Sequence, residues 1–203
     1  MGGVRDTPVP GVPLSDEEAA KLEQLLDELA KWNRKFNLTA IRQRDEMVTG
    51  HILDSLVAAP LIRGTSVLDI GTGAGFPGLP LAVVRPEVSF SLLDSNNKKI
   101  QFVQHAAGML GLDHVEAVKA RAEGYAPGHR FDTVIARAVA TVPKLLKIAG
   151  HHVGEGGVFV ALKGRDYAKE LEHIPEDWDF EAVPLDVPRL EAGSRHAVLL
   201  TRQ

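Results

Sequence analysis

The chain has 203 residues, 44% of them hydrophobic and 25% charged, with a formal net charge of −4. That length and apolar content suit one well-cored domain with small additions. The acidic balance excludes a global basic field, so any nucleic-acid contact must rest on a local patch. Cysteine is absent, which excludes disulfides, thiolate metal sites and the cysteine-initiated route to methylation at carbon 5 of a pyrimidine.

Residues 1–13, MGGVRDTPVPGVP, lack an apolar signal core and read as a disordered lead-in. No apolar run reaches the roughly eighteen residues of a membrane span, and together with the missing cysteines this fits a cytoplasmic protein. Ser15-Asp16-Glu17-Glu18 is a capping box, with acids in the first helical turn. Leu22, Leu25, Leu26, Leu29, Trp32 and Phe36 follow at helical spacing, a stripe that reads as core. After the loop Asn37-Leu38-Thr39, a second helix is expected over Asp45–Ala59, ended by Pro60 and Arg63-Gly64. Residues 14–64 are therefore predicted as an N-terminal helical extension, and 65–203 as the main domain.

From Ser66 strand and helix patterns alternate, which predicts a parallel, helix-covered α/β sheet. The expected strands are Ser66–Ile70, Ser89–Asp94, Val115–Lys119, Asp132–Ala136, Val158–Lys163, Phe180–Pro184 and His196–Arg202. A helix is expected over Asn97–Leu110, with Ile100, Val103, Ala107 and Leu110 on one face. No crossover helix fits between the last two strands, because Val187 to Ser194 contains Pro188 and Gly193. The prediction is a mostly parallel seven-stranded sheet whose last strand is antiparallel.

Residues Val67 to Gly78, VLDIGTGAGFPG, carry the densest chemical information. A short apolar strand reaches Asp69, and glycines follow at Gly71, Gly73, Gly75 and Gly78. Glycine permits positive φ and close approach of a ligand to the main chain. Exposed amides at a helix start favour a polar or anionic group. An acid at the strand end suits a ligand with positive charge or hydroxyls, and S-adenosylmethionine has all of these features. The pattern resembles the first motif of Rossmann-like methyltransferases. Gly73-x-Gly75-x-x-Gly78 also has dinucleotide spacing, but the first glycine off the strand is Gly71, directly preceded by Asp69-Ile70. A dehydrogenase would need room for a substrate domain, and no Tyr-x-x-x-Lys pair occurs.

Asp94 ends the second strand, where an acid can accept from both ribose hydroxyls; a helix N-cap role is the alternative. Ala122-Glu123 follows the third strand, placed to border an adenine ring, although Glu123 also reads as a solvated loop acid. Arg137 ends the fourth strand and should point into the substrate cleft, since ligands gather at the carboxyl ends of strands in such sheets. Amine-methylating enzymes often carry Asn/Asp-Pro-Pro-aromatic there, whereas this chain has Arg137-Ala138-Val139-Ala140. Lys163-Gly164-Arg165 ends the fifth strand on the same side and Arg121 ends the third, and a cluster of bases at one cleft suggests a phosphate-bearing substrate. Lys31, Arg34, Lys35, Arg42 and Arg44 surround Trp32 and Phe36, a second candidate RNA surface or else a solvated helix end. His51-x-x-Asp54 offers two metal ligands without a third, so capping or core roles are expected and no metal site.

Taken together, Asn33, Asn37-Leu38-Thr39, His51-x-x-Asp54-Ser55-Leu56, the loop from Asp69 to Phe76-Pro77-Gly78, Leu93-Asp94-Ser95, Ala122-Glu123, Arg137-Ala138 and Ala161-Leu162-Lys163-Gly164 resemble one family. It is the glucose-inhibited division protein B family of bacterial 16S rRNA guanine-N7 methyltransferases. The resemblance spans about Leu14 to Gln203. It implies S-adenosylmethionine as cofactor, methyl transfer to N7 of guanine 527, and 16S rRNA or a small-subunit particle as partner. It also implies cofactor contacts at Gly71, Phe76, Ala122, Glu123 and Arg137. No general base is required for that reaction, so Arg137 and Lys163 are expected to act by alignment. Nothing in the chain argues for more than a monomer. The rivals are a methyltransferase of the same fold with another RNA or small-molecule substrate, and a non-catalytic RNA-binding module.

Overall fold

Residues 3–190 and 195–203 are described by a computed structural model. Ser15 starts the first helix, α1 (Asp16–Phe36): its hydroxyl accepts the Glu18 N–H, and the Glu18 carboxylate accepts Ser15 N–H at 2.7 Å. Leu22, Leu25, Leu26 and Leu29 are completely buried, and removing each from water contributes about 2 kcal/mol. Trp32 extends the stripe, its ring edge-on to Phe102 with centroids 5.6 Å apart.

The lead-in departs from expectation. Val4, Val9 and Val12 are buried in the same hydrophobic cluster as the α1 leucines. Val4 N–H donates to Glu23 Oε1 at 2.6 Å, and Val9 and Val12 form a β-bridge. Three valines spaced among turn-forming residues supply the apolar contacts that hold the segment on α1; residues 1–2 lie outside the described residues. The second expected helix, Asp45–Ala59, is also broken up. It comprises α2 (Arg44–Met47), a π-helical turn at Val48–Leu53, α3 (Asp54–Leu56) and a 3-10 turn at Ala59–Leu61. Val48, Thr49 and Gly50 are weak helix formers, and π-turns occur where a local feature must be re-aimed. Here the Gly50 carbonyl accepts from Arg137.

Seven strands form one sheet: β1 (Ser66–Ile70), β2 (Ser89–Asp94), β3 (Val115–Lys119), β4 (Phe131–Arg137), β5 (Val153–Lys163), β6 (Trp178–Leu185) and β7 (Arg195–Arg202). Their order is β3-β2-β1-β4-β5-β7-β6. The first five pair in parallel, while β7 is antiparallel to both β5 and β6. The expected antiparallel closing hairpin is present; its link beyond residue 190 lies outside the described residues. The helices α4 (Gly78–Val84), α5 (Asn97–Leu110), α6 (Val142–Ala149) and α7 (Ala168–Leu171) complete the chain.

Successive strand residues face opposite sides, so Val67 joins the cluster that contains α1, α4 and α5, while Leu68 joins the one that contains α6. The first cluster runs without interruption from residues 4–62 into the sheet. Strand order reverses between β1 and β4, which opens a crevice at their carboxyl ends. Two cavities lie there.

Candidate active site

The smaller cavity, about 370 Å³, is lined by Gly71, Asp94, Arg121, Ala122, Glu123 and Val139, among others. Its glycine loop is held from below by acids. Asp94 Oδ2 accepts Gly73 N–H at 3.0 Å and its Oδ1 accepts Asn96 N–H at 2.8 Å. Thr72 N–H donates to the Leu93 carbonyl at 2.9 Å, which pins the loop to the end of β2. Gly73 sits at φ 63, a conformation that an L side chain would strain. Asp69 is wholly buried under the loop; its Oδ2 accepts the Thr72 hydroxyl at 2.7 Å and Gly78 N–H at 2.9 Å. Burial pushes its pKa up to about 6, against those two hydrogen bonds. His152, buried beside Tyr125, has Nε2 2.9 Å from the Ala122 carbonyl and so fixes the far wall. Burial lowers its pKa.

The larger cavity, about 540 Å³, takes its walls from distant parts of the chain: His51, Asp54, Arg137, Lys163, Tyr167 and Arg195. Asp54 is buried and divides its carboxylate between two guanidinium groups. Oδ2 accepts Arg137 Nη1 at 2.7 Å and Oδ1 accepts Arg195 Nε at 2.7 Å. Arg137 Nη1 also donates to the Gly50 carbonyl at 3.0 Å, and its guanidinium lies 6.0 Å from the Phe76 ring centroid. His51 stacks on the same Phe76 ring, with centroids 4.5 Å apart and planes 14° apart. Its Nε2 lies 3.0 Å from Thr39 Oγ1. Burial, helped by Arg137, pushes the His51 pKa down to about 4. Thr39 N–H in turn donates to Asn33 Oδ1 at 2.9 Å. Lys163 Nζ donates to the Ala140 carbonyl and pairs with Glu170 Oε2, both at 2.7 Å. Ala138, at φ 54, lines both cavities and is the wall between them.

Comparison with known proteins decides between the readings of this crevice. A family model described as rRNA small subunit methyltransferase G matches residues 18–198. The chain belongs to that family. A ribosomal RNA small subunit methyltransferase G of Psychromonas ingrahamii is 42% identical over 190 residues, covering 93% of this chain and 91% of that protein. The Klebsiella pneumoniae protein of the same name is 41% identical over 191 residues, covering 94% and 92%. Among solved structures, TrmN from Thermus thermophilus superposes with a TM-score of 0.61 at 20% identity, over 84% of this chain and 53% of that one. A SAM-dependent methyltransferase from Thiobacillus denitrificans in complex with S-adenosyl-L-homocysteine gives 0.53 at 15% identity, over 74% and 90%. The fold is the Rossmann-like one of S-adenosylmethionine-dependent methyltransferases, and S-adenosylmethionine is the cofactor of this methyltransferase family.

Within the family's frame, the expected site residues separate into groups. Gly71, Asp94, Ala122 and Glu123 line the smaller cavity, and Lys163 and Arg165 the larger. Asp69, Gly73, Gly75 and Phe76 line neither. Asp69 supports the loop instead of facing the crevice, and Phe76 is a buried spacer between His51 and Arg137. Arg137 borders the larger cavity, and Arg121 the smaller one, so the expected ring of bases around one cleft is split across Ala138. In the N-terminal basic segment, Arg34, Lys35 and Arg42 are exposed. Lys31 is paired with Glu28 at 2.9 Å. Arg44 is half-buried between Glu23 and Asp27, the former also holding the lead-in. Arg195 carried no sequence signal. It is an isolated base at the start of an apolar strand, and only the β5–β7 pairing brings it to Asp54.

Proposed function

We propose that this chain methylates N7 of guanine 527 in 16S rRNA, with S-adenosylmethionine as donor in the smaller cavity. The residues present fit that cofactor. Asp94, anchored through both oxygens by backbone amides, is oriented to receive ribose hydroxyls. Ala122 offers an apolar face beside Glu123, and the loop from Gly71 gives main-chain amides without intervening side chains. When bound, the cofactor supplies an electrophilic methyl group on a positively charged sulfur.

The observation that carries the reading is the chemistry of the larger cavity. Guanine N7 has an exposed lone pair and loses no proton on alkylation, so the task is alignment and electrostatic support. The cavity offers arginine and lysine, and its inner carboxylates, Asp54 and Glu170, are committed to ion pairs. His51, with a pKa near 4, is too weakly basic to hold a transferred proton at neutral pH. Cysteine is absent. Arg137 and Lys163 position the base and the adjoining backbone, and Ala138 brings the two cavities within contact of each other. A target base in folded RNA has to leave its stack to enter. Arg121, Arg165 and the exposed Arg34, Lys35 and Arg42 contact phosphates of 16S rRNA or its particle. The protein acts as a cytoplasmic monomer.

The test is mass spectrometry of 16S rRNA from a strain lacking this gene. One N7-methylguanine, at guanine 527, should disappear and return with the intact gene. An unchanged methylation pattern would refute the proposal.

A further inference from the structure

Arg195 has no part in the reading so far, and Asp54 enters it only as a paired carboxylate. Asp54 is buried, and both of its oxygens are occupied by guanidinium donors, one from the end of β4 and one from the start of β7. Arg137 uses its Nη1 twice, on Asp54 and on the Gly50 carbonyl. Among the described residues Arg195 is held through Nε alone, and its side chain keeps about a third of its surface open. Its Nη1 lies just 3.9 Å from where a side chain on Gly164 would begin. The terminal amino groups therefore stand over a glycine at the rim, inside the cavity's lining, with no partner among the described residues.

We infer that Arg195 is the residue that selects guanine, by donating from its terminal amino groups to O6, and that Asp54 is the positioning residue that aims it. This rests on the proposed reaction at N7. Guanidinium is a donor only. Guanine presents the O6 acceptor beside N7, where adenine presents an amino donor. A guanidinium that reads both O6 and N7 would occupy the lone pair that must attack. Securing Nε on Asp54 uses one donor edge and leaves the far end to serve O6. Asp54 has a second effect. Alkylation at N7 leaves the ring cationic, and an unneutralised pair of arginines would oppose it; their shared carboxylate removes part of that opposition.

The experiment compares two substrates, small-subunit rRNA with guanine at the target and the same RNA with 2-aminopurine, which keeps N7 and lacks O6. Single-turnover methylation is measured for wild type, Arg195→Ala, Arg195→Lys and Asp54→Ala. Calorimetry with S-adenosylhomocysteine checks that each variant keeps a folded cofactor site. Wild type should be about ten- to a hundredfold slower on the 2-aminopurine RNA, the usual worth of a base-edge contact. The Arg195 variants should lose a similar factor on guanine RNA and less than about threefold on 2-aminopurine RNA. Asp54→Ala should erase the discrimination in the same way. Arg195→Lys keeps a charge for Asp54 and so covers the case in which Arg195→Ala does not fold. Equal losses on both RNAs, or a wild type indifferent to O6, would overturn the inference while leaving N7 methylation intact. A wild type that places no methyl at N7 of either RNA would overturn the functional reading, and this inference with it.

Discussion

The two cavities on either side of Ala138 are built by different means. The smaller is assembled from contiguous stretches: a glycine loop, the end of β2 and the Ala122-Glu123 turn, each tied to its neighbour by backbone amides. The larger is assembled from side chains that meet only when the chain is fully folded, and Asp54 alone joins residues 83 and 141 positions away. Backbone-built sites tolerate change in distant parts of the chain. A site built on a buried charge shared by two partners should fail as a unit.

Asp54→Ala should break the larger cavity most severely. Removing the anion leaves two guanidinium groups facing each other, one of them mostly buried, at a cost of about 3 kcal/mol. Methyl transfer to guanine RNA should fall by about ten- to a hundredfold, with S-adenosylhomocysteine affinity changed by less than about threefold. Urea unfolding and calorimetry on the same samples read both effects. Comparable losses in both cavities would mean that they are not separate units.

Asp94→Asn makes the converse cut. An amide cannot accept both loop N–H groups with both of its ends, so one contact turns repulsive, worth about 1–3 kcal/mol. Cofactor affinity should drop about tenfold or more in calorimetry, and RNA affinity should stay within about twofold. A drop in RNA binding of the same size would join the two sites.

The cavities should also respond to pH with opposite sign. Asp69, under the glycine loop, has a folded pKa raised to about 6, so its contribution is present at low pH and is lost as pH rises from about 4 through 6. His51, in the larger cavity, has its folded pKa lowered to about 4, so its environment is stable above pH 6.5 and loses stability as pH falls toward 4. Urea midpoints of Asp69→Asn and His51→Gln, each relative to wild type between pH 4 and 8, should therefore diverge in opposite directions. Parallel curves would contradict the burial argument.

The smallest effect belongs to the N-terminal basic segment. Arg34→Ala with Lys35→Ala should weaken RNA binding several-fold and reduce the log–log salt slope by about 1–2. No change in either would make that segment a solvated helix end.

The same contrast explains what the sequence disclosed. The bounds expected for β1, β2, β3 and α5 coincide with the observed ones: β1 runs into Gly71, β2 ends at Asp94, and α5 is bounded by Asn96 and Gly111, while β3 shows only its alternating pattern. The glycine loop and Asp94 were legible for the same local reason. Asp54 was readable only as a capping or core group, and Arg195 not at all, because their meaning comes from strand pairing across the sheet. The lead-in was misjudged because its glycines and prolines mask three valines at core positions. The break at Val48–Leu53 falls on weak helix formers, but its use by Arg137, a residue far along the chain, has no local signature.

The most direct test of the account is to supply the purified protein and labelled S-adenosylmethionine with small-subunit rRNA from a strain lacking the gene, and to map the product by mass spectrometry. The account predicts a single methyl group, on N7 of guanine 527. A methyl group on an exocyclic amine, a ribose or another base would contradict it.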